Sequence, residues 1–214
     1  MTSDEFFSRL VELYRRARMP TFETEGITRA RCRSVSGGLE DLVAAYIVRN
    51  LPGRFHIFVD QPVSIGRGVL RYPDLVLCDN DRKAVCSFVD VKTDLGWKRD
   101  EIEAMSIKLR QLADATAAKM MKLGPTPNTR RSHDVVERPA CHLVVAAWPN
   151  SGKTSPAAAA AIALESGVEF YVLSEGRHPN HFSRGTEDVF ADLVIRRSDM
   201  ARLLRNVARD STLE

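Results

Sequence analysis

The chain has 214 residues, 44% of them hydrophobic and 28% charged, which suits one sizeable core better than two very small ones. Its formal charge of +3, with a pI near 8.7, permits a polyanionic partner without demanding one. Cys32, Cys78, Cys86 and Cys141 are dispersed with no C-x-x-C pair, which argues against a zinc ribbon or a disulfide framework, and no stretch reaches the ~18 apolar residues of a membrane span.

The opening MTSDEFFSRLVELYRRARMP carries acids before its apolar residues, unlike a signal peptide, so the expectation is a soluble cytoplasmic protein with no membrane partner. Phe6, Phe7, Leu10, Leu13 and Tyr14 recur at helical spacing and predict a helix over 3–18, with Ser3 as its cap and Pro20 as its stop. A polar loop with Arg29, Arg31 and Arg33 follows. A second helix, LEDLVAAYIVRN, begins after Ser36-Gly37-Gly38 and ends before Pro52.

Three strand-like runs come next, FHIFVDQPVSI, VLRYPDLVLCD and AVCSFVDVKTD, joined by short turn-rich connections that predict antiparallel hairpins. A long helix is expected from Lys98 to about Leu123, then a Pro-punctuated loop over 124–139. CHLVVAAW reads as a buried strand, PAAAAAIALES as a helix, VEFYVLSE as a strand, and the tail FADLVIRRSDMARLLRNVARD as a final helix or two. The order is that of an α/β protein with no dividing linker. One domain over 1–214 is expected, made of an N-terminal helix and loop (1–36), a core (37–148) and an extension (149–214).

The chemistry-bearing feature is the end of the third run. Side chains alternate along a strand, so Asp90 and Lys92 project to one side while Val89 and Val91 project to the other. With a turn centred near residue 81, Asp74 stands opposite about residue 88 and within one or two residues of Asp90. Two carboxylates gathered at a buried strand end raise each other's pKa unless a positive charge lies between them. A hard divalent ion such as Mg2+ accepts oxygen ligands of this kind, and Lys92 is then placed to activate water or to stabilise a phosphate oxygen.

Pro73-Asp74 followed by Asp90-Val91-Lys92 resembles the motif of the PD-(D/E)xK nuclease superfamily, the restriction-endonuclease-like fold. The predicted order helix, three antiparallel strands, helix, strand over 37–148 resembles that family's core, a mixed central sheet flanked by helices. The resemblance implies a Mg2+-dependent deoxyribonuclease in restriction, phage defence or repair, with Mn2+ able to replace Mg2+. It implies catalytic roles for Glu40, Asp74, Asp90 and Lys92, with metal held by Asp74, Asp90, Glu40 and the main chain of Val91. With no extra target-reading segment, double-strand cleavage of DNA would call for a homodimer.

Glu40 is chosen over Asp41 on a helical wheel. With Leu39 at zero, Glu40 lies at about 100° on the border of the apolar face, and Asp41 at about 200° faces water. Each residue also has a bland reading: Glu40 a capping residue, Asp74 and Asp90 strand-end acids, Lys92 a surface lysine paired with Asp94. The corresponding alternative function is an idle nucleic-acid-binding or assembly protein of the same fold.

Lys98, Arg99, Arg130 and Arg131 are candidates for contacts to a nucleic-acid backbone, as are the loop arginines before Glu40. Trp97 is a candidate for stacking on a base. The stretch AWPNSGKT nearly spells a phosphate-cradling loop and offers an NTP-binding alternative, weakened by Pro149 and Pro156. His178 and His181 form H-x-x-H, but no cysteine or acid stands at ligand spacing for zinc.

Overall fold

Helix α1 (Ser3–Arg18) opens the structure, a computed structural model that describes residues 1–22, 25–29, 31–64, 70–96, 101–124, 126–149, 154–181 and 187–210. Its cap is Thr2, one residue before the expected Ser3, whose hydroxyl accepts from the Glu5 N–H at 3.1 Å. Acids in the first turn and arginines in the last complement the helix dipole. Helix α2 (Ser36–Asn50) packs against α1, with the Tyr46 ring edge-on to Phe6 at 5.6 Å, and it buries Leu39, Val43 and Ile47 fully.

The chain then forms strands β1 (Phe55–Val59), β2 (Val63–Ser64), β3 (Leu70–Arg71), β4 (Leu75–Asp79) and β5 (Ala84–Lys92). Helix α3 (Ile102–Thr116) leads to β6 (Met120–Leu123) and the long β7 (Arg131–Val145). Helix α4 (Pro156–Glu165), β8 (Glu169–Val172), β9 (Ser174–Gly176), α5 (Glu187–Phe190), β10 (Leu193–Ile195) and α6 (Arg197–Asp210) complete it.

The main sheet is mixed, ordered β1-β4-β5-β7-β6, with β8 also paired to β7. Strands β1, β4 and β5 form an antiparallel meander, and β5, β7 and β8 run parallel. Parallel neighbours need crossovers, and α3 and α4 supply them. Helices α1, α2 and α6 cover one face, on Leu75, Leu77, Val89, Val91, Val144 and Tyr171. Helices α3 and α4 cover the other, on Val76, Phe88, Leu143 and Val145. The fold is therefore a mixed central sheet flanked by helices, as expected.

Three expected strand runs are each divided in two, as β1 with β2, β3 with β4 and β8 with β9, and three further segments differ from expectation. The helix expected to Leu123 stops at Thr116, because Ala118 adopts a left-handed φ of 52° and the chain re-emerges as β6. There Met121 and Leu123 are buried while Met120 and Lys122 are exposed, a strand's alternation. The loop expected over 124–139 carries the first half of β7, a polar arm that pairs Arg131 with Leu123 and Asp134 with Met120. In the tail, Leu193–Ile195 is a strand paired with β9.

Candidate active site

A β-bulge sets the register that brings the acids together. Cys78 pairs with Val85, yet Leu77 pairs with Ser87, so Cys86 is an extra residue in β5. Beyond it Leu75 pairs with Val89, and one further step puts Asp74 directly opposite Asp90. Had the pairing run on without the bulge, Asp74 would meet Val89, and Asp90 and Lys92 would turn to the other face. The burial pattern agrees, since Val89 and Val91 enter the core under α1 and α2 while Phe88 enters the core under α3.

Asp74 Oδ2 accepts the Val91 N–H at 2.6 Å and lies 3.3 Å from Lys92 Nζ. The same ammonium forms an ion pair with Asp90 Oδ1 and approaches the Val91 carbonyl oxygen at 3.3 Å. The side chains are largely but not wholly enclosed, with exposures of 20% for Asp74, 21% for Asp90 and 30% for Lys92. Pro73, buried, fixes the chain just before Asp74.

Two negative groups share one positive group here, so the cluster carries a surplus negative charge. Burial, and then the Asp90 carboxylate, push Asp74 up from the ordinary 3.8 to about 7. Lys92 is raised above its ordinary value by Asp90 and Asp74, against an opposing effect of burial. Among the described residues, no three His, Cys, Asp or Glu side chains stand close enough together to hold a metal ion. Asp74 Oδ2, Asp90 Oδ1 and the Val91 carbonyl nonetheless surround one cation, the ammonium of Lys92. Carboxylate and carbonyl oxygens are also the ligand type that a hard divalent ion accepts.

Glu40, half-buried on α2, makes no hydrogen bond or ion pair with another described residue. Its carboxyl is raised by burial first and then by Asp60, while Lys92 lowers it and Asp41 and Asp90 raise it. Asp41 is exposed, as the helical wheel predicts. Asp60 is an acid the sequence reading missed. It has a left-handed φ of 49°, which aspartate tolerates, and its N–H donates to the Asp74 carbonyl at 2.9 Å. Asp94 faces away from Lys92 toward His178 Nε2, 3.2 Å away, so the Lys92–Asp94 surface pair does not form.

Comparison with known proteins adds little. No family model and no curated protein matches the chain. Among solved structures, the cAAA-bound form of NucC from P. aeruginosa ATCC27853 superposes with a TM-score of 0.49 and 11% sequence identity, over 97% of this chain and 88% of that one. At this distance the likeness establishes neither family nor activity.

Among the described residues, Arg130 and Arg131 do not lie beside the cluster. Because β7 runs parallel to β5, with Ala84 beside Asp134 and Asp90 beside Leu143, Arg130 and Arg131 lie at the opposite end of the sheet. Arg131 there lines a cavity of about 520 Å³ with His56, Cys78 and His133. Arg33 is tied to the end of α1 and the residues after it, through the Arg16 carbonyl and Thr21 Oγ1. Trp97, Lys98, Arg99 and the Asn150–Lys153 part of AWPNSGKT lie outside the described residues. At that loop's helix, the Ser155 hydroxyl already accepts the Ala158 N–H at 3.1 Å, so one amide a phosphate would need is taken.

Proposed function

We propose that this chain is a metal-dependent nuclease that hydrolyses DNA phosphodiester bonds in restriction or phage defence. The observation that carries the reading is the convergence of Asp74, Asp90 and the Val91 carbonyl on one cationic point at the end of a rigid hairpin. Asp74, Asp90 and the Val91 main chain would hold Mg2+, or Mn2+ in its place, with Glu40 completing the acidic surround. The ion would supply charge to polarise a phosphoryl oxygen and to ease deprotonation of water.

The chain's own groups divide the remaining work. Lys92 is a three-donor ammonium with almost a third of its side chain in solvent, and it can donate to a phosphate oxygen as charge builds there. The Val91 N–H holds the Asp74 carboxylate in place, so that acid cannot swing away when the substrate arrives. Glu40, held above its ordinary pKa, is suited to accept a proton from water. One such site cuts one strand at a time, so cutting both strands takes two copies of the chain.

Incubating the pure protein with supercoiled plasmid in MgCl2 and in EDTA tests the reading. Nicking by the wild type in MgCl2, absent in EDTA and lost in Asp90→Ala, supports it. Full nicking by Asp90→Ala removes this site from the cleavage, and none by the wild type leaves the idle nucleic-acid-binding reading. That reading draws on the same ion pair, since Lys92 already neutralises part of the cluster's charge without a metal.

A further inference from the structure

Next to Asp90 lies a small recess whose other lining residues the proposed chemistry does not use. Arg71, Tyr72, Pro73 and Asp90 form one wall, and Met105 and Lys108 of α3 form the other. Its volume is about 150 Å³, well below the roughly 300–1,000 Å³ of ordinary small-molecule sites. That is space for one flat ring and not for a whole nucleotide.

The rim of the recess is unusual in composition. Tyr72 is 58% exposed, although it directly precedes a buried proline, and neighbouring Leu70 is also largely exposed. Between short β3 and β4, the backbone on either side of Tyr72 is held by strand pairing, so the ring is presented from a fixed base. Arg71 and Lys108 are both exposed and stand on opposite sides of the recess. An exposed aromatic ring flanked by two cations matches a nucleic-acid strand, with a base for the ring and phosphates for the cations.

The bases of an intact duplex are stacked and paired, so they cannot offer a face to Tyr72 without being extruded. We infer that Tyr72, Arg71 and Lys108 form a strand-holding subsite that takes one unpaired base beside the scissile phosphate, so that the preferred substrate is single-stranded or locally unpaired. This rests on the nuclease reading for the word scissile, but the binding itself does not need cleavage. Tyr72 supplies the stacking surface, Met105 an apolar wall opposite it, and the two cations bracket the backbone on either side.

Fluorescence anisotropy with a labelled oligodeoxynucleotide, single-stranded and as a duplex of the same sequence, tests the inference in EDTA, where no hydrolysis occurs. The single strand is expected to bind about tenfold more tightly than the duplex. Tyr72→Ala should weaken it by about tenfold, while Tyr72→Phe retains it, as loss and retention of one stacked base require. Arg71→Ala and Lys108→Ala should each lower the salt slope by about 0.7, the share of one phosphate on a single strand. Circular dichroism confirms that each variant is folded.

Equal or tighter duplex binding, or a folded Tyr72→Ala with unchanged single-strand affinity, overturns the inference. Plasmid nicking in MgCl2 is read separately. Tyr72-dependent strand binding without nicking retains the subsite and removes the enzyme. Nicking with Tyr72-independent binding does the reverse.

Discussion

The carboxylate of Asp74 accepts the backbone N–H of Val91 at 2.6 Å, across the end of the β4–β5 hairpin. The bond joins the last residue before one strand to the second-last residue of the other, and it immobilises an acid whose Oδ2 also faces Lys92. A side chain locked to the main chain cannot relax away from its neighbours, so its electrostatic cost is borne by the fold.

Asp74 should destabilise the metal-free protein at neutral and alkaline pH. Its pKa is raised in the fold, to about 7 from the ordinary 3.8, so the fold favours its protonated form. Its contribution is therefore most favourable below about pH 4 and is lost as pH rises through 7. Asp74→Asn, neutral throughout, should melt roughly 3 °C higher than the wild type at pH 8 in EDTA, with the advantage gone near pH 4. Thermal melts across this range measure it, and a variant that melts lower at pH 8 refutes the assignment.

Removing the ammonium should expose the need for a cation. Lys92→Met leaves Asp74 and Asp90 facing each other without compensation and should cost about 2 kcal/mol at pH 8, moderated by the partial exposure of the site. Adding MgCl2 should then raise the melting temperature of this variant more than that of the wild type, because the ion meets no competing ammonium. A variant whose melting is indifferent to MgCl2 would count against metal binding at this point. Nicking should fall by at least tenfold in either case.

Glu40 and Asp41 separate an inward from an outward acid on one helix turn. Glu40→Gln should reduce nicking by about a hundredfold or more, the usual range for a lost proton acceptor. Asp41→Asn, changing an exposed residue, should leave it within twofold. Initial rates on the same plasmid preparation compare the two, and equal losses would remove Glu40 from its proposed role.

The thiols should divide into one reactive and three protected. Burial raises Cys78 to about 11 and both Cys86 and Cys141 to about 12. At pH 8 a thiol of pKa about 12 is thiolate in only about one part in ten thousand. Cys32 is the least buried of the four. Iodoacetamide followed by peptide mass analysis should mark Cys32 first in the native protein and all four in denaturant.

Much of the architecture was legible in the sequence. Helical spacing located α1 and α2, alternation placed Asp90 and Lys92 on one side of β5, and the wheel angle separated Glu40 from Asp41. These are local properties, set by the 3.6-residue and two-residue repeats of the backbone. The end of α3 was not legible, because Met120–Leu123 carries helix-forming residues and becomes a strand only by pairing with β7. Nor was the first half of β7, whose polar residues suit an arm exposed along much of its length.

The site divides in the same way. Residue types and spacing named Asp74, Asp90 and Lys92 as a group, but the count from the turn put Asp74 opposite residue 88. The pairing of Asp79 with Ala84 moves that partner on to Val89, and the extra residue Cys86 moves it to Asp90; a bulge is a property of two paired strands that neither strand announces by itself. The parallel run of β7 along β5 likewise decided that Arg131 lies at the far end of the sheet, and the packing of α3 put Lys108 across from Tyr72. Sequence determined which groups are available and which way each points along its own element. Tertiary structure decided which of them meet, because strand register and helix packing fix distances between residues that the chain's local repeats leave free.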